Sequence, residues 1–115
     1  MPLITSGDLD ELQKWLKRRK ITYLDSHMEP HMGKQGELRD LKWLQEAFDA
    51  FANSQWFASI ELPMCSYVLK HQLEKQMPHA YCSTQQAVLA SLLYGCKVDF
   101  GPKTLRDSFT PQVFR

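Results

Sequence analysis

His27 and His31 flank Glu29 and Pro30, and His79 stands three positions before Cys82. Two donor pairs at such spacings supply the four ligands of a structural zinc site, so His27, His31, His79 and Cys82 form the candidate metal set. The order HMEPH differs from the HExxH of zinc proteases, and Pro30 prevents a regular helix through it, so metalloprotease chemistry is not expected. Loop histidines and a half-buried cysteine account for the same residues without a metal.

Cys65 with His71, or Cys82 with His79, offers the residue types of a thiolate nucleophile and its base. No motif, however, sets an oxyanion hole or orients either imidazole. All three cysteines stand beside apolar residues, the usual setting of structural thiols. The chain carries no phosphate-binding glycine loop, dinucleotide fingerprint, GxSxG elbow or EF-hand. The expectation is a protein without catalysis or cofactor.

Lys17, Arg18, Arg19 and Lys20 make a compact basic run, and with Lys34 they are the candidate nucleic-acid contacts. A solvated helix end explains the run equally well, because Asp8, Asp10 and Glu11 lie at the start of the same segment and both signs complement the helix dipole. Ser83, Thr84, Gln85 and Gln86 are types that read base edges, as at the start of a recognition helix. The segment after them has no Lys or Arg to hold phosphates and is apolar all round, which predicts burial instead.

Aromatic residues are dense between Trp43 and Phe57: Trp43, Phe48, Phe51, Trp56 and Phe57. Core packing uses most of them, but Trp43 lies off the inner stripe, where a large aromatic either packs under the long loop or serves as an anchor for a protein partner. Trp43 and Trp56, with Val113 and Phe114 of the apolar tail, are the candidate protein-binding residues. The partner is another protein, or a second copy joined by pairing of the central helices. The tail either folds back on the core or acts as a docking peptide.

The elements that must hold these residues read as follows. Ser6 or Asp8 caps a first helix to about Arg19, with Leu9, Leu12 and Leu16 inward and Trp15 at the margin. Ile21 to Leu24 suits a short strand, and DSHMEPHMGKQG is a long loop. Over Glu37 to Asn53, Leu38, Leu41, Leu44, Phe48 and Phe51 recur at helical spacing, giving the strongest amphipathic signal in the chain. Trp56 to Leu62 alternates as a strand does, with Phe57 against the pattern and an extension of helix as the competing choice. Pro63 opens a third helix with Cys65, Leu69, Leu73 and Met77 on one face, and Pro78 ends it. Ser83 and Gln86 form a capping box for a fourth helix that stops at Gly95, and Lys97 to Phe100 adds a short extended segment.

These 115 residues suffice for one core, and 43% hydrophobic with 23% charged residues is a globular composition. A formal net charge of +1 excludes a bulk field for nucleic acid or anionic membrane. No apolar run is long enough to span a bilayer, and the opening MPLITSGDLDEL lacks the regions of a secretory leader. Three cysteines without CxxC fit a reducing compartment, so the cytoplasm is expected. The overall expectation is a mainly α single domain of about four helices, α+β if a two- or three-stranded sheet is present. Its expected role is that of a non-catalytic protein-binding or regulatory module, of the size that phages and mobile elements use as accessory or inhibitor proteins. Nucleic-acid binding is the alternative.

Overall fold

The computed structural model describes residues 3–24, 38–53, 55–77, 82–106 and 108–115. The long helices appear where apolar spacing and caps place them. Helix α1, Ser6–Arg18, is capped one residue earlier than expected: the Thr5 hydroxyl accepts from the Asp8 amide at 3.2 Å, and the Asp8 carboxylate accepts from the Thr5 amide at 2.9 Å. Helix α2, Leu41–Asn53, starts later than the periodicity from Glu37 suggests, because Leu38 and Arg39 form a turn and Asp40 supplies the cap, accepting from the Trp43 amide at 3.1 Å.

Three expectations are corrected. Ile21–Leu24 is irregular rather than a strand: Ile21 and Leu24 are simply buried anchors between α1 and the following segment. Residues 55–59 form a short helix, α3 (Gln55–Ser59), where alternation suggested a strand. The helical path puts both Trp56 and Phe57 against Phe51, with centroids 5.6 and 5.0 Å away, and Phe57 also against Tyr94 at 5.5 Å. A strand would send Trp56 and Phe57 to opposite faces, so aromatic packing overrides the weak alternation. The third long helix begins not at Pro63 but after a two-residue strand, β1 (Met64–Cys65), which follows a cis Leu62–Pro63 bond. Helix α4 is then Ser66–Gln76, with Leu69 and Leu73 buried as the spacing requires.

Helix α5, Thr84–Tyr94, matches its reading at both ends. Ser83 and Gln86 form the reciprocal capping box, and Gly95 takes the left-handed conformation, φ 105°, that closes the helix. Ala87, Val88, Leu89 and Ala90 are fully buried, and α5 packs against both α2 and α4. The expected extended segment is β2, Lys97–Asp99.

The tail folds back. Its strand β3, Gln112–Phe114, runs antiparallel between β1 and β2, so the sheet order is β1-β3-β2. Met64, Val113 and Val98 stand side by side in register, and Val113 is fully buried. The result is a single α+β domain with one continuous core and a small antiparallel sheet at its side. Among the described residues no helix is long and apolar enough to cross a membrane.

Candidate interaction surface

Helix α1 has a wider apolar stripe than its neighbours cover. Leu9 and Leu16 are buried, whereas Leu12 and Trp15 are only partly so. These two, with Leu92 of α5 and Cys96 just beyond it, line an open groove of about 400 Å³ whose charged rim is Glu11 and Arg18. An aromatic floor with a charged rim is the composition of a site that takes apolar groups and orients them by charge.

The basic run is built by the way α1 ends. The Lys20 amide donates to the Lys17 carbonyl at 3.1 Å and the Ile21 amide to the Leu16 carbonyl at 3.0 Å, while Lys20 takes a left-handed φ of 55°. This is the Schellman closure, with buried Leu16 and Ile21 as its apolar contact. It turns the chain sharply and leaves Lys17, Arg18, Arg19 and Lys20 exposed around one helix end. The Arg19 guanidinium lies over the Trp15 ring, 4.1 Å from its centroid, and joins the cations to the groove. A fifth cation arrives from far along the chain: Arg106, just after the 3-10 turn Lys103–Leu105, donates from Nη1 to the Arg19 carbonyl. Leu105 beside it is exposed.

At the other end of α1, acids are already engaged. Asp8 serves the cap, and Asp10 accepts from Arg39 Nη2 at 2.8 Å. Among the described residues, Glu11 and Arg18 have no ion-pair partner within the chain.

The residues singled out from sequence fall in different places. Lys17, Arg18, Arg19 and Lys20 are brought together, and Lys34 lies outside the described residues. Trp43 is buried on α2, whose exposed positions are Leu41, Lys42, Glu46, Ala52 and Asn53. Trp56 is partly buried among Phe51 and Phe57. Val113 is buried in the centre of the sheet, while Phe114, 37% exposed, stands on its outer side beside Lys97. Trp43, Trp56, Val113 and Phe114 therefore do not form one exposed patch.

His27, His31 and His79 of the candidate metal set lie outside the described residues. Their fourth member, Cys82, is buried, and its thiol donates to the Ser83 carbonyl at 3.4 Å. Burial, reinforced by the nearby Glu74 charge, pushes that thiol up to about 12, away from the thiolate that a metal or an electrophile needs. Among the described residues no group of three or more His, Cys, Asp or Glu side chains could hold a metal ion. The His71 imidazole is turned to the Glu74 carboxylate, 3.2 Å away. Thr84 and Gln85 line a second, uncharged cleft with Tyr23, Tyr67 and Phe109, but the six residues after them, Gln86 to Ser91, are buried, which leaves little of this helix to lie in a groove of DNA.

Comparison with protein-family models, with curated proteins and with solved structures finds no match to this chain. The surface must therefore be read from its own chemistry. Sequence reasoning found the basic run and placed Trp15 at the margin of α1, but missed Arg106, Leu92 and Cys96 as its neighbours. Only the partial exposure of Leu92, on a helix that reads as wholly buried, distinguishes the groove, and exposure is a property of the folded chain.

Proposed function

We propose that the protein is a small, non-catalytic protein-binding module that uses the α1 groove and its basic rim to seat another polypeptide. The observation that carries this reading is the partly covered Trp15, floored by Leu12 and Leu92 and edged by Arg18 and Arg19. Tryptophan and arginine concentrate binding energy at protein interfaces, and surrounding cations speed and orient encounter. Action would be steric: by occupying a partner's surface, the module regulates it, as an accessory or inhibitor protein does. We place it in the cytoplasm.

The experiment is affinity capture from nuclease-treated host lysate at moderate salt, with the wild-type chain and Trp15→Ser in parallel. A stoichiometric protein retained by the wild type and lost by the variant supports the reading. Equal capture by both removes the groove from it.

A second reading, nucleic-acid binding, draws on one specific feature: Arg106 adds a cation to the Lys17–Lys20 run beside an aromatic ring suited to base stacking. It predicts that the logarithm of the binding constant falls linearly with the logarithm of salt, whereas a mainly apolar protein interface weakens only slightly.

A further inference from the structure

We infer that the groove is occupied by a second copy of this chain, with the two α1 helices antiparallel about a twofold axis. In this pairing Glu11 of each copy meets Arg18 of the other across Leu12 and Trp15. The inference rests on the protein-binding reading of the groove and names its occupant.

The groove-lining stripe of α1 is self-complementary. Glu11, Trp15 and Arg18 follow one another at spacings of four and three, with Leu12 adjacent, so they form one stripe on α1. Glu11 and Arg18 are about 10 Å apart along the axis, at 1.5 Å per residue. A twofold axis perpendicular to the helix and midway between them, near Trp15, superposes each acid of one copy on the base of the other. Two ion pairs then form at the rim, and the Trp15 rings meet close to the axis, where a fully covered aromatic contributes most. The same residues serve on both sides, as an isologous interface requires.

Three further observations agree. Asp8 and Asp10 are used within the chain, whereas Glu11 and Arg18, the two charged groups that line the groove, have no ion-pair partner among the described residues. Antiparallel alignment also sets the acidic start of each α1 against the basic end of the other, and opposes the two helix dipoles favourably. Finally, a net charge of +1 imposes little repulsion between copies. A general acidic segment would neutralise Arg18 but give Glu11 no cation; a second copy satisfies both. An outside protein that uses the groove competes with this pairing.

The test is sedimentation velocity across a concentration series for the wild type, Glu11→Arg, Arg18→Glu and an equimolar mixture of the two variants. Both positions are exposed, and far-UV circular dichroism checks that each variant is folded. The wild type should dimerise, and either reversal should weaken dimerisation at least tenfold by setting like charges opposite one another. Mixing should restore the dimer. In the heterodimer the new cation of the Glu11→Arg copy meets the new anion of the Arg18→Glu copy, and the unchanged Arg18 of the first meets the unchanged Glu11 of the second. A wild type that stays monomeric to millimolar concentration, or a mixture no more dimeric than its components, overturns the inference. If the monomeric wild type still captures an outside protein that Trp15→Ser loses, self-pairing fails while the protein-binding reading stands. If Trp15→Ser also captures everything the wild type does, both fail.

Discussion

The guanidinium of Arg115 lies over the ring of Phe57, 4.7 Å from its centroid, and donates from Nη1 to the Phe57 carbonyl at 3.0 Å. Its Nη2 donates to the Ile60 carbonyl at 2.7 Å. Helix α3 is only five residues long and cannot satisfy its own terminal carbonyls, so a side chain from the far end of the sequence does so. The contact ties the central strand of the sheet to the aromatic cluster.

Arg115→Ala should therefore lower stability by about 1 kcal/mol, a value reduced for the exposure of the side chain. Arg115→Lys should recover only part of that, since an ammonium cannot reach two carbonyls in the planar fork of a guanidinium. Urea unfolding of the three proteins measures the difference. Equal midpoints for wild type and Arg115→Ala would show that the contact contributes nothing.

Helices α1 and α5 end by the same hydrogen-bond pattern with different residues at the left-handed position. In α5 it is Gly95, φ 105°, with the Cys96 amide donating to the Ser91 carbonyl at 2.9 Å; in α1 it is Lys20, φ 55°, with the Ile21 amide donating to Leu16. A lysine there costs about 1 kcal/mol relative to glycine, because its Cβ crowds the carbonyl. Lys20→Gly should thus stabilise the protein by up to about 1 kcal/mol, and Gly95→Lys should destabilise it by a similar amount. A strained lysine is tolerated where its charge is useful, so Lys20→Gly should also weaken partner association at low salt. Thermal melts of both variants check the first part, and a stabilised Gly95→Lys would contradict it.

This pair of helix ends also shows what is legible in the sequence. Gly95 announces its turn because glycine is the ordinary residue there, and Ser83 with Gln86 announces the start of the same helix. Lys20 gives no such sign. The short elements are obscure for a different reason: Met64–Cys65 and Gln112–Phe114 are too brief to display a period, and they become strands only by pairing with each other and with Lys97–Asp99. Trp56–Phe57 shows how local alternation yields to tertiary packing, since Phe51 and Tyr94 decide their conformation. At the candidate surface, the Lys17–Lys20 run is local and visible, whereas Arg106 reaches it from 87 residues beyond Arg19 by a contact that no spacing rule encodes.

Glu74 gives the protein an acid-sensitive joint between α4 and α5. Burial is the largest single influence on its carboxyl and opposes ionisation. The Lys70 ammonium at 3.2 Å, the backbone amide of Cys82 and the charge of His71 together outweigh it and hold the carboxyl below its ordinary value of 4.5. A folded-state value below the unfolded one means that the stabilisation is fully present above about pH 4.5 and is lost as pH falls through the folded value. Glu74→Gln should therefore melt below the wild type at pH 7, and the gap should close as the pH is lowered through the folded-state value, below 4.5. A gap that stays constant over this range would assign the effect to shape rather than charge.

The three cysteines should separate by reactivity. Cys82 is 1% exposed with its thiol pushed up to about 12, burial being the main cause and the Glu74 charge the second. Cys96 is also buried and shifted upward by burial, in spite of the opposing charge of Arg115. Cys65, the last residue of β1 and the one before α4, is partly exposed. Because alkylation proceeds through accessible thiolate, iodoacetamide at neutral pH should label Cys65 first, Cys96 at the groove more slowly, and Cys82 only as fast as the protein opens. Time-resolved peptide mass spectrometry reads the three rates in native buffer and in denaturant, where they should converge. Rapid native labelling of Cys82 would mean that its thiol is reachable and ionised, and would reopen the nucleophile and metal-ligand roles that its burial argues against.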